Sequence, residues 1–138
     1  IGGDFLEVAA RRFAGEFSEN AKQWAFSSSL PEFNHSTLQA LGAPAGVPRS
    51  IVPIVLDAPA VHPRVRRRVT ETMRMMDEAG ANALLLDAGG DTPLEAILRA
   101  ASLGSWSSYY VSMLLGVDPT PVGILDTFKD RMAQQPRT

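Results

Sequence analysis

The sequence predicts an α/β domain built on a small parallel sheet. Two short apolar runs, "SIVPIVLD" at 50–57 and "ANALLLDAGG" with its strand at 82–88, have the length and continuous hydrophobicity of buried strands. Stretches of helical period lie before, between and after them. Strand alternating with helix is the pattern of parallel strands joined by crossover helices and covered on both faces.

Each element carries its own signal. "IGG" at the start reads as the end of a third strand running through a glycine turn, so the first strand is expected to be truncated at the N-terminus. "GGDFLEVAARRFAGEFSENAK" reads as a helix that ends near Lys22. Asp4 fits its N-cap and Glu7 the third position of a capping box. Phe5, Val8, Ala9, Phe13 and Phe17 recur at helical spacing as its apolar face. Ser27, Ser28 and Ser29 lead into Leu30–Pro31 as a loop, because the residue before a proline avoids helical geometry. "STLQAL" reads as a short helix capped by Ser36 and closed by Gly42, followed by the loop "GAPAGVPR".

In the strand at 50–57, Pro53 removes a ladder donor and implies an edge or a bulge. "HPRVRRRVTETMRMMDEAG" is an amphipathic helix with Pro63 in its first turn and His62 at its start. Its inward stripe is Val65, Val69, Met73 and Met76, and Gly80 ends it. Arg64, Arg66, Arg67 and Arg68 fall opposite that stripe and read as a solvated face. "TPLEAILRAASLGSWSSYYVSMLLG" is a long apolar helix with Pro93 near its start and Gly104 as a weak point. "DPTPVGILDTFKDRM" gives a turn and a last helix.

Composition narrows the function classes. The 138 residues make one domain, 1–138, with one core, and 45% hydrophobic with 20% charged residues is ordinary for a globular protein. A net charge of −2 argues against nucleic acid as a partner. The absence of cysteine leaves no disulfide framework and no thiolate metal site, and with two histidines and no HExxH no metal or cofactor is expected. No apolar run approaches the roughly 20 residues needed to span a bilayer, so no membrane role is expected and the cytoplasm is the default location.

The chemistry-bearing residues concentrate in "FSENAKQWAFSSSLPEFNHSTLQAL", residues 17–41. Glu19, Asn20, Ala21 and Lys22, then Pro31, Glu32, Asn34 and His35, resemble the "ENAK … PE-x-NH" signature of bifunctional phosphoglucose/phosphomannose isomerases. The likeness is to the second of that family's two sugar-isomerase (SIS) domains. "GDFLEVAARR" is similar to the segment leading into the signature. "LGSWSSYYVSMLLGVDPTPVGILDTFKDRM" is similar to the family's closing block. Two positions depart from the pattern: Ser36 stands for an asparagine and Ser105 for an aspartate.

The resemblance implies an SIS-type three-layer αβα sandwich with flavodoxin-like strand order. It implies a phosphosugar aldose–ketose isomerase that converts glucose 6-phosphate or mannose 6-phosphate to fructose 6-phosphate through a cis-enediolate. Glu19 then matches the general base between C1 and C2, His35 the residue that assists ring opening, and Lys129 the lysine that works with it. Asn20, Lys22 and Asn34 are expected at the substrate. A sugar phosphate is the implied partner. A homodimer is implied too, with each active site shared across subunits. The family's phosphate loop belongs to its first SIS domain, for which Ser27–Ser29 is no substitute. This chain is therefore expected to be the C-terminal part of a two-domain protein and inactive alone.

Chemistry favours these residue types independently. Removing a proton next to a carbonyl needs a carboxylate shielded from water, since desolvation makes it more basic; such a base contributes ~10²–10⁴ in rate. Ring opening needs a group that both takes and gives a proton near neutrality, as histidine does. A lysine ammonium can donate or stabilise developing charge. Glu32 reads as a cap of the following helix, and Trp106, Tyr109 and Tyr110 as packing or dimer residues. Two other readings compete with the enzyme. One is a non-catalytic SIS module that binds a sugar phosphate and mediates dimerisation. The other is a purely structural oligomerisation half, which leaves Glu19 and His35 without a role.

Overall fold

The computed structural model describes residues 1–42, 46 and 50–134. In chain order the elements are β1 (Gly2–Gly3), α1 (Leu6–Glu19), β2 (Ser29–Leu30), α2 (Glu32–His35), a 3-10 helix (Thr37–Gly42), β3 (Ile54–Asp57), α3 (Pro63–Glu78), β4 (Leu84–Asp87), α4 (Pro93–Leu114) and α5 (Gly123–Ala133). The expected loop at 42–49 falls largely outside the described residues. The fold is α/β with parallel strands, as expected.

β1 pairs with β2 and β3 pairs with β4, both in parallel. Ile1 joins the two pairs. Its nitrogen donates to the Ile54 carbonyl at 2.7 Å, and its carbonyl accepts from the Leu56 nitrogen at 2.9 Å. These two bonds straddle Val55 in the manner of a parallel ladder. The strands therefore run β2-β1-β3-β4. β2 is a strand that the serine-rich, proline-flanked sequence hides. At two residues it is too short to show a period, and it is placed by its pairing with β1 alone.

Successive residues of β3 point to opposite faces and seed two core clusters. Leu56 belongs with Leu6, Ala9, Ala10 and Phe13 of α1 and with Ala96 and Ala100 of α4. Val55 belongs with Leu30, Phe33 of α2, and Val69 and Met76 of α3. The expected stripe of α3 holds, with Thr72 added as a buried polar member. His62 caps α3, its Nδ1 accepting from the Arg64 nitrogen at 3.2 Å.

Several expectations are corrected. Asp4 does not cap α1: Phe5 holds the N-cap position and no side chain caps it. Asp4 instead takes φ 57°, and its Oδ2 accepts from the His62 nitrogen at 3.2 Å, tying the turn after β1 to the start of α3. An aspartate tolerates that backbone better than most residues. Glu7 forms no capping box and pairs with Arg11 at 3.3 Å. α1 ends at Glu19, not near Lys22, because Lys22 adopts φ 56°, which no right-handed helix accommodates. Val8 is 56% exposed, and Leu6 and Ala10 are buried in its place, because α1 faces both the strands and α4.

Further along, the helix read at 36–41 is instead a 3-10 turn behind α2, and Ser36 Oγ donates to the Glu32 carbonyl without capping anything. β3 starts beyond Pro53, whose carbonyl accepts from Leu84, so the proline costs no ladder bond. β4 is not buried: Leu84 and Leu85 are about half exposed, because β4 pairs only with β3 among the described residues. Arg66 leaves the solvated face to pair with Asp57 at 3.3 Å and to donate to the Ala58 carbonyl.

Gly104 is no weak point, because α4 runs unbroken from Thr92, which caps it, to Leu114. Its buried face is Ala96, Ala100, Gly104, Ser108 and Ser112, one small residue every fourth position. Such a row lets a neighbouring helix approach closely, and α1 is that neighbour. A Cβ on Gly104 would sit 2.8 Å from Phe13 Cδ2 and 3.2 Å from Phe13 Cα.

One outcome tests this account. Gly104→Ala gains helix propensity but overpacks the α1–α4 contact, and we expect a net loss of roughly 1–3 kcal/mol in urea denaturation.

Candidate active site at the exit of α1

α1 delivers Glu19 as its last residue. The helix is held to α4 by Phe13 on Gly104, and Phe13 stacks on Phe17 with ring centroids 5.3 Å apart. Beyond Glu19 the chain turns sharply. The Phe17 carbonyl accepts from both Ala21 and Gln23 at 3.2 Å, and Lys22 sits in the left-handed region. Glu19 itself is exposed. It lines an open depression along one face of α1 with Val8, Arg11, Arg12, Gly15 and Glu16. Arg12 is ion-paired to Glu16 within that face.

The residues expected at the substrate use their donors inside the fold. The Asn20 amide donates to Glu16 Oε2 at 2.8 Å and to Ser108 Oγ at 2.9 Å, and Ser108 is fully buried. Lys22 Nζ donates to the Glu19, Pro121 and Pro119 carbonyls at 2.6, 2.8 and 3.3 Å. The Asn34 amide donates to Thr72 Oγ1 at 2.7 Å, fastening α2 to α3.

His35 closes α2 and is exposed. Lys129 lies on α5, exposed and 3.4 Å from Asp126. Among the described residues no hydrogen bond or ion pair joins the side chains of Glu19, His35 and Lys129. The structure does bring the exit of α1 to the loop before α5, through Lys22. It does not bring His35 there. Phe33 commits α2 to the Val55 cluster, whereas α1 belongs to the Leu56 cluster. Of the departures from the signature, Ser36 bonds its own turn and the Ser105 carbonyl accepts from Ser108 Oγ at 2.9 Å. Among the described residues no group of three or more His, Asp or Glu is placed to hold a metal ion.

The sequence reading missed Ser108 and Thr72. Ser108 announces itself as one step of the four-residue small repeat in α4. Thr72 falls between Val69 and Met76 on the inward stripe, where a hydroxyl needs a partner.

Comparison with known proteins decides the family. Residues 1–132 match the model of the bacterial phospho-glucose isomerase C-terminal SIS domain. The chain belongs to that family. Bifunctional phosphoglucose/phosphomannose isomerases are similar to it: that of Aquifex aeolicus is 28% identical over 123 residues, 89% of this chain and 38% of the relative. Those of Caldicellulosiruptor bescii and Thermoplasma volcanium are each 27% identical, over 93% of this chain and 38% and 40% of their own lengths. The SIS domain described here thus spans about two-fifths of the curated relatives it matches. No helix among its described residues is long and apolar enough to cross a membrane.

The Asn34–Thr72 bond is open to direct measurement. Asn34→Ala and Thr72→Val should each destabilise the domain by about 1 kcal/mol, and the double variant should lose less than their sum. Strict additivity in a urea double-mutant cycle would show that the pair does not hold α2 in place.

Proposed function

We propose that this SIS domain is the C-terminal part of a phosphosugar aldose–ketose isomerase that interconverts glucose 6-phosphate or mannose 6-phosphate with fructose 6-phosphate through a cis-enediolate. The observation that carries the reading is the family match across residues 1–132, together with relatives named as bifunctional phosphoglucose/phosphomannose isomerases. In it Glu19 moves the proton between C2 and C1. His35 assists ring opening and Lys129 works with it.

Glu19 is the last residue of α1, where its side chain is free to meet a substrate beyond the helix end. Its exposure means that the shielding a general base needs comes from a surface outside this chain. Two candidates fit: the further SIS domain, which would also bring the phosphate loop, and a second copy supplying His35 across a homodimer. The apolar residues Trp106, Tyr109, Tyr110 and Leu114 on α4, and Ile124 and Phe128 on α5, are exposed, as such covering requires. We read the fold as an SIS-type three-layer αβα sandwich, with α1 and α4 on one side of the flavodoxin-like strand order and α2 and α3 on the other. Charged sugar phosphates do not cross a bilayer unaided, so this reading places the protein in the cytoplasm.

The exposure of Glu19 and its separation from His35 also favour a second reading, a non-catalytic module that binds a sugar phosphate and mediates dimerisation. A coupled assay with fructose 6-phosphate on the full-length protein separates the two. The isomerase reading expects turnover that Glu19→Gln lowers by at least about 10²-fold while the protein stays folded. It also expects no turnover by the 138-residue chain alone. A full-length protein that binds sugar phosphate without turnover would establish the second reading.

A further inference from the structure

We propose that Lys22 is a positioning residue. On this assignment its ammonium clasps the loop ahead of α5 to the carboxyl end of α1 and so sets where Lys129 lies relative to Glu19. The inference rests on the isomerase reading for the roles of Glu19 and Lys129, but the clasp itself stands on geometry alone.

An ammonium has three donors. Those of Lys22 reach three backbone carbonyls drawn from two segments far apart in sequence: Glu19 on one side, Pro119 and Pro121 on the other. Both partners are pre-shaped for the contact. Lys22 leaves α1 at φ 56°, a backbone that a lysine rarely adopts. The receiving loop is stiffened by its two prolines and by Asp118, whose Oδ1 accepts from the Thr120 nitrogen at 2.9 Å. The charge is also well placed. α1 ends with Glu16 and Glu19 in its last turn and no basic residue there, and its unpaired carbonyls carry partial negative charge. Lys22 supplies the missing cation from just beyond the helix.

What depends on the clasp is α5. The helix starts at Gly123, directly after Pro121 and Val122, with the Leu125 nitrogen bonded to the Val122 carbonyl at 2.8 Å. Every residue of α5 is exposed, and none is buried against another element. Side-chain packing therefore does not locate α5 on this domain. The Lys22 bonds to Pro119 and Pro121 hold the segment that leads into its first turn, ahead of Lys129.

The test is hydrogen–deuterium exchange and steady-state kinetics on the full-length protein, comparing wild type with Lys22→Met and Lys22→Gly. The first keeps the stem without the charge, and the second relaxes the backbone. We expect α5 amides to exchange about tenfold faster in both variants, with α1 and α4 unchanged. We also expect kcat to fall about 10–100-fold with KM within about twofold, the signature of a displaced catalytic group and not of a lost substrate contact. Unchanged exchange in α5 overturns the clasp. A raised KM at constant kcat overturns the positioning role and assigns Lys22 to the substrate. Absence of turnover in wild type removes the isomerase reading and leaves the clasp to be judged by exchange.

Discussion

The architecture depends on one contact, Phe13 of α1 lying against the bare α-carbon of Gly104 in α4. α1 and α4 form the most extensive helix pair in the domain, and small residues at every fourth position of α4 make that possible. The same contact orients the carboxyl end of α1. With Phe13 seated and Phe17 stacked on it, the direction in which α1 delivers Glu19 is set by packing, before any polar group at the site is considered. A dense apolar contact of this kind resists small displacement, because neither helix can shift without losing contact or overlapping atoms.

Polar side chains then pin the segments that packing leaves loose. Asn20 reaches buried Ser108 on α4, Lys22 reaches the loop before α5, and Asn34 reaches buried Thr72 on α3. Each links a signature residue to an element distant in sequence. A buried hydroxyl without a partner would cost about 1–3 kcal/mol, so Thr72 needs its bond as much as Asn34 does, whereas Ser108 also has the Ser105 carbonyl. The signature therefore does structural work in this chain whatever chemistry it performs. The asparagines and Lys22 fix the platform, and Glu19 and His35 stand exposed on it with no side-chain bond to another described residue.

Much of this was legible in the residues. β3, β4 and the helices α1, α3 and α4 follow from apolar period, proline at helix starts and glycine after helix ends. What was not legible is mostly tertiary. β2 exists because Gly2 and Gly3 offer a pairing edge to Ser29 and Leu30, and a two-residue strand has no pattern of its own. Asp4 looks like a cap because caps are local, yet its carboxylate is taken by His62, 58 residues away. Gly104 looks like a helix breaker until Phe13 is set beside it. Leu84 and Leu85 look buried because leucine runs usually are, but nothing among the described residues covers the outer edge of β4. At the site, Glu19, His35 and Lys129 were found through the family signature, and helical spacing alone would have passed over all three.

The placement of Glu19 and His35 is a consequence of the alternation in β3. Leu56 draws α1 and α4 to one face, and Val55 draws α2 and α3 to the other. The carboxylate at the end of α1 and the imidazole at the end of α2 are thereby assigned to opposite faces of β3 by a one-residue step along the strand. No rotamer change moves either residue to the other's side, and re-registering β3 by one residue would expose both cores. If the two act on one sugar, the meeting has to be made by assembly and not by local motion. The outward faces of the helices, where Trp106, Tyr109 and Phe128 are exposed, leave apolar surface available for such a meeting without disturbing the core that presents Glu19 and His35.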